Sequence, residues 1–481
     1  MITALGMLYL PFCLLFWRNA PRLLDLIFIG SVFSAGAVFV IGGYGVTTAL
    51  VPALMFIGFV LLKLTLGTSY PAQGMVLGVL TPFMLVATGA IISSFLMPRL
   101  FEGEIMVWPQ KLAGFFVLTP LAPNSGNYTQ DMYLLINAML TVTASIYLTR
   151  TGFNPRRLLN AFYASALLAV AISLWQFAAN TLHIWFPSSF FLSNPGWAIL
   201  TAESIGSIIR ITGPFSEPAA LAGYMCGAVS ASAWAMLNGD KARLPRVVFF
   251  ACLMVLLLTT STTGYAALAI LIAMLAAYTV ITGTPRLKKR AAAGAAVAMV
   301  VVVISVATVP VLAPGIARDV VTITNATLDK KSSSSYSDRT STDHDSIKEM
   351  VESYGLGVGW GSNRSSSLGP GLCASIGLWG ILGLLWFAAG VVALVRAAQR
   401  EAGTENPRLV MHACSAWLIG TLTAAFLSGP SLSGPDFYLT LALLIATAAR
   451  VRYDARSARL AVRAAPAGRT LGFAPTQTTK G

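Results

Sequence analysis

Residues 74–97 read GMVLGVLTPFMLVATGAIISSFLM, a run without a single charged side chain. At about 1.5 Å rise per residue, a helix of that length crosses the roughly 30 Å hydrocarbon core of a bilayer. Runs of the same character recur along the chain. Expected spans are 2–17, 24–41, 46–64, 74–97, 131–149, 158–180, 218–237, 247–260, 265–282, 291–311, 371–395, 411–427 and 437–449. Composition agrees: over 481 residues, 56% are hydrophobic and 10% charged, against about 25% charged in soluble domains. The weak alternation of a barrel strand is absent, so the expected fold is an all-α polytopic integral membrane protein of about 12–14 transmembrane helices. The run at 104–122 is broken by Pro109, Gln110 and Lys111 and reads as interfacial or re-entrant. The first apolar run lacks the basic flank and cleavage site of a signal peptide.

The formal net charge of +14 is spread over short connections. Arg18 and Arg22, Lys63, Arg150 to Arg157, Lys241 to Arg246, Arg286 to Arg290 and Arg396 to Arg408 alternate with the spans so that all fall on one side. The positive-inside rule makes that side cytoplasmic and the basic tail 450–481 with it. This distribution speaks for anionic lipid and against nucleic acid as a partner. Intervals 98–130, 181–217, 312–370 and 428–436 then face outward. The chain divides into N-terminal helices (1–200), central helices with an outer Arg/Glu motif (201–311), a large outward loop (312–370), C-terminal helices (371–449) and the tail. The five cysteines stand apart in apolar surroundings and only three histidines exist, so neither a disulfide framework nor a protein-built metal site is expected, and no cofactor.

Polar chemistry is concentrated in the outward intervals. Ser207 to Pro218 reads SIIRITGPFSEP and runs directly into a span. Pro218 suits a first helical position with Ser216 or Glu217 near the cap, which puts Arg210 and Glu217 at the mouth of a membrane helix. The uncharged knot Thr259-Thr-Ser-Thr-Thr-Gly264 joins two spans at the same side, either satisfying its own backbone or flooring an outer site. Within 312–370, Ile347, Met350, Val351 and Tyr354 recur at helical spacing. They predict a short amphipathic helix lying on the membrane by its apolar face, started by Asp343, Asp345 or Ser346 and ended by Gly355. Arg339 then lies just before that helix, whose N-terminus favours anions. Gly355, Gly357, Gly359 and Gly361 allow close backbone approach, as an anion-cradling loop needs, with Arg364 and Ser365 following. Several arginines at an outer membrane face fit a diphosphate, which guanidinium groups bind bidentately.

Three pieces resemble the bacterial O-antigen polymerase and ligase superfamily, membrane glycosyltransferases acting on lipid-linked glycans. These are Arg210-Ile-Thr-Gly213-Pro-Phe-Ser-Glu217-Pro, the turn Thr260-Ser-Thr-Thr-Gly264, and Arg339 with the amphipathic helix, Gly355-Leu-Gly-Val-Gly359 and Gly377-Leu-Trp-Gly-Ile-Leu-Gly383. The resemblance covers roughly 200–390 and is loose motif by motif. In the turn, the family's arginine is replaced by Thr. The histidine typical of the ligases after the glycine element is missing from Ser362-Asn-Arg-Ser-Ser-Ser-Leu, which favours a polymerase over a ligase. The resemblance implies an undecaprenyl-diphosphate-linked oligosaccharide as both donor and acceptor, at the outer face of a bacterial inner membrane, with a chain-length regulator as a conceivable partner. It implies metal-independent transfer, with Arg210, Arg339 and Arg364 holding the diphosphate. Glu217, or failing it His344 or Asp338, would be the base, supported by Gly213, Gly357, Gly359 and Ser365. The competing class is a secondary transporter, which calls for charges within the membrane and an internal repeat.

Overall fold

The computed structural model describes residues 1–110, 117–196, 204–205, 208–294, 334–429 and 432–464. Most of the expected span 291–311, Arg318, the loop's start through residue 333 and the tail beyond 464 lie outside these residues. The described chain is a bundle of α-helices with a few very short strands. Among the described residues, six helices are long and apolar enough to cross a membrane: Gln73–Leu100, Pro155–Leu182, Pro218–Leu237, Thr262–Ile281, Leu368–Glu401 and Glu405–Leu427. Ala4–Leu15 and Leu50–Thr65 are apolar but shorter. Apart from 24–41, the other expected spans within the described residues also coincide with helices, which makes the protein an all-α polytopic membrane protein.

One expectation needs correction. The span 24–41 is not one helix. Helix Ala20–Val32 stops, and Ala37–Ile41 pairs antiparallel with Tyr44–Thr47. Gly42 and Gly43 both take positive φ, as a tight hairpin turn requires. An apolar run rich in β-branched residues carries no period that separates strand from helix. The interrupted run 104–122, kept apart from the spans in the sequence, holds no helix in its described part, where Met106–Val107 pairs with Thr119–Pro120.

With no hydrophobic drive between helices in lipid, close packing decides which of them pair. Pro218–Leu237 and Glu405–Leu427 meet through small residues. A Cβ on Gly227 would come within 2.6 Å of Thr421 Oγ1, and one on Gly420 within 2.8 Å of the Cys226 carbonyl oxygen. The bundle has two unlike ends. At one, basic connections are tied to buried carboxylates: Arg156 to Asp240 at 2.5 Å, Arg157 to Asp25, and Arg452 and Arg459 to Glu401 at 3.3 and 3.0 Å. At the other, the intervals read as outward from the sequence come together. The Trp108 amide donates to Asn363 (3.1 Å), Asn127 Nδ2 to the Trp360 carbonyl (2.8 Å) and the Gly429 amide to the Ser366 carbonyl (3.0 Å).

Candidate functional site

Arg210 and Glu217 stand at the two ends of a buried loop that a membrane helix holds from below. Gln176, 7% exposed in Pro155–Leu182, accepts from the amides of Thr212 (2.9 Å) and Gly213 (2.7 Å) and donates to Thr212 Oγ1 (3.2 Å). Gly213 has φ +57, and a Cβ there would meet Ser173 Oγ at 2.4 Å, so the turn admits only glycine. The loop delivers Pro218 to the first helical position with Glu217 as N-cap, as its sequence predicts. The Glu217 side chain makes no capping hydrogen bond, which leaves the carboxylate for another partner.

Arg210 reaches the threonine knot, its Nε 3.5 Å from the Thr259 carbonyl oxygen, and its charge acts on Tyr265 one turn into the next helix. The knot satisfies its own backbone, as foreseen: the Ser261 hydroxyl caps Thr262–Thr282 by accepting from the Gly264 amide. Thr260 takes φ +47, unusual for a β-branched residue.

The loop helix differs from its expectation. It runs Ser334–Glu352, so Arg339 lies inside it, not before its N-terminus, and Asp343, Asp345 and Ser346 are not start caps. The periodicity of Ile347 to Tyr354 marks only its last turns. The polar residues before them do not alternate with apolar ones, because the face turned to the protein is itself polar. Ser346 (0% exposed), Glu349 (1%) and Ser353 (0%) point inward while Ile347, Val351 and Tyr354 are exposed. Gly355 does end the helix, its amide donating to the Met350 carbonyl (2.8 Å).

This helix is fastened to the start of the next. Asp343 accepts from the amides of Ser366 (2.8 Å) and Ser367 (3.0 Å) and from the Ser367 hydroxyl (2.6 Å). A carboxylate thus caps the N-terminus of Leu368–Glu401, where the helix dipole welcomes it. Arg339 Nη1 donates to Ser428 Oγ (3.1 Å), Thr342 shares a hydrogen bond with Ser366 (2.7 Å), and Asp345 accepts from Trp108 Nε1 (3.0 Å).

The glycine loop is a packing device, not the anion cradle its composition predicts. Gly355, Gly357, Gly359 and Gly361 all have positive φ, and at Gly357, Gly359 and Gly361 the missing Cβ makes room for protein backbone. A Cβ at Gly357 would lie 2.8 Å from the Ala374 oxygen and the Gly377 nitrogen, and one at Gly359 2.7 Å from the Ser93 oxygen. Gly377 breaks Leu368–Glu401 with φ +60 and ψ −163, and the loop backbone fills the break: the Val358 amide donates to the Ala374 carbonyl (2.7 Å) and the Leu378 amide to the Gly355 carbonyl (2.9 Å). Asn363 adds bonds to Ser346 (2.8 Å) and Gln110 (2.8 Å).

Held this way, Arg364 comes within electrostatic range of Glu217. Crowding by protein lowers its guanidinium pKa from the ordinary value, and the Glu217 carboxylate pushes it back up. Arg364 is two residues from Ser366, which connects through Thr342 and Gly429 to Arg339 and its partner Ser428. The structure therefore gathers Arg210, Glu217, Arg339 and Arg364 at one end of the bundle. Gly213, Gly357, Gly359 and Ser365 are buried supports around them, Ser365 bonding to the Ser367 carbonyl. His344 and Asp338 are solvent-exposed, and no contact brings either toward Glu217. Gln176 and Asn363 were missed from the sequence. Gln176 had one signal, a lone amide within an apolar run, while Asn363 had none beyond its polar neighbours. Compared with known proteins, the sequence matches no family model and no curated protein.

Proposed function

We propose that this protein is a membrane glycosyltransferase that joins undecaprenyl-diphosphate-linked oligosaccharide repeats at the outer face of a bacterial inner membrane. The observation that carries the reading is the gathering of three arginines and an uncapped carboxylate, Glu217, at the end of an apolar bundle opposite its basic connections. By the positive-inside rule that end is periplasmic and the C-terminus cytoplasmic.

In the reaction, an acceptor hydroxyl attacks the anomeric carbon of the donor sugar. The new C–O bond forms as the bond to the lipid diphosphate breaks, and the diphosphate leaves with the electron pair. Arg210, Arg339 and Arg364 neutralise the charge growing on it. Glu217 takes the acceptor's proton; with no capping bond of its own, its carboxylate is available for this. Arginines supply the charge stabilisation that a metal gives in other transferases, so transfer proceeds in EDTA.

The test is elongation of lipid-linked repeats by purified protein. Combined Arg210→Ala and Arg339→Ala lowers turnover by about 10²-fold or more on the scale of a lost transition-state donor. Undiminished turnover removes these roles. Ligation of finished glycan is the alternative, and the histidine-free stretch Ser362–Ser367 weighs against it. Deletion strains separate the two: single-repeat products mean polymerisation, and intact polymer stranded on its carrier means ligation.

A further inference from the structure

Glu349 is 1% exposed, and neither carboxylate oxygen has a hydrogen-bond partner. It lies on the inward face of Ser334–Glu352, between Ser346, which bonds to Asn363, and Ser353, which accepts from the Gly357 amide (2.9 Å). The elements packed on this helix are Leu368–Glu401 and the strand Met106–Val107. Leu368–Glu401 brings one titratable residue in its first turns, Cys373. The strand is flanked by Glu104, and the connecting loop carries Tyr354 and Arg364. None of these pairs with Glu349. The charges that act on it, Asp345 and Glu352 on its own helix, are both negative. The strand packed on the helix belongs to the satellite core of Phe101, Ile105, Val107, Leu121 and Val358.

An ionised carboxylate cannot remain in such a place without a cation or donors. We propose that Glu349 is a proton-held latch: as a neutral acid it lets Ser334–Glu352 dock on the outer end of the bundle, and its ionisation releases that helix together with Arg339. Burial, reinforced by Asp345 and then Glu352, raises its pKa from 4.5 to about 9, so the docked helix keeps the proton at neutral pH. Opening gives that proton up wherever the exposed carboxyl would be ionised. Protection of the helix amides against hydrogen exchange is therefore constant below about pH 4.5, falls by up to about tenfold per pH unit between there and about pH 9, and levels off above it.

The experiment is hydrogen exchange on the full chain in lipid nanodiscs, corrected for intrinsic rate, following amides 342–353 from about pH 4 to about pH 10. The wild type loses protection progressively from about pH 4.5 and levels off near pH 9, whereas Glu349→Gln, neutral at every pH, keeps it. Glu352→Gln, at an exposed position, removes one of the like charges, so the fall levels off at lower pH and is smaller in total. Identical profiles for wild type and Glu349→Gln overturn the proposal. Should Glu349→Gln fail to fold, an unmoved levelling-off in Glu352→Gln overturns it as well. The readout is structural, so its outcome is independent of which reaction the site performs.

Discussion

Gln176 shows how one side chain sets a site it does not enter. It satisfies two buried amides that the positive-φ turn at Gly213 leaves without partners, and so fixes the loop between Arg210 and Glu217. Gln176→Ala strands both amides at about 1–3 kcal/mol each. The expected result is a lower unfolding temperature in detergent and a loss of turnover, with Gln176→Glu recovering part of the stability because its carboxylate still accepts. Glu349 works in the opposite sense. Its folded-state pKa of about 9 lies above the unfolded 4.5, so the folded protein keeps a proton that the unfolded chain sheds as pH rises between those values. Stability therefore falls across that window, and Glu349→Gln raises the unfolding temperature at pH 7 but not at pH 4, where both forms of the wild type are protonated.

Among the elements, the coupling of two helices by one carboxylate matters most. Asp343 lies inside Ser334–Glu352 yet caps Leu368–Glu401, so the loop helix is pinned where the membrane helix begins. Asp343→Ala removes the cap, a cost of about 1–2 kcal/mol. Limited proteolysis then cuts between residues 340 and 367 faster, while Asp343→Asn, which keeps one acceptor, lies between. The glycine loop completes the same joint by filling the break at Gly377 with its own backbone. Sequence alone announced the four glycines but assigned their space to a ligand; the neighbouring carbonyl that occupies it comes from a helix that starts several residues later.

For the whole molecule, the two ends differ in chemistry, and that difference predicts sidedness. A cysteine placed at Tyr354, 88% exposed, is labelled by an impermeant thiol reagent added outside intact cells. One placed at Arg456 on the basic end is labelled only after permeabilisation. The reverse pattern inverts the orientation and with it the proposed substrate face.

Most of the helices and their order could be read directly from the chain, because each turns on local hydropathy over lengths set by the bilayer. So could Arg210 and Glu217 as unusual residues at a span end, and Arg339 as a charge within the outward loop. The hairpin at 37–47 could not, since its apolar residues satisfy helix and strand alike until Gly42 and Gly43 turn the chain. Nor could the inward polar face of the loop helix, the capping role of Asp343 or the approach of Arg364 to Glu217. Each joins residues from separate outward intervals, and the partners are chosen by backbone packing and hydrogen-bond satisfaction across the bundle. The sequence determined a charge-polarised helical membrane protein with its candidate site residues at one end; only the tertiary structure decided which of those groups meet, because buried donors and acceptors far apart in the chain had to satisfy one another.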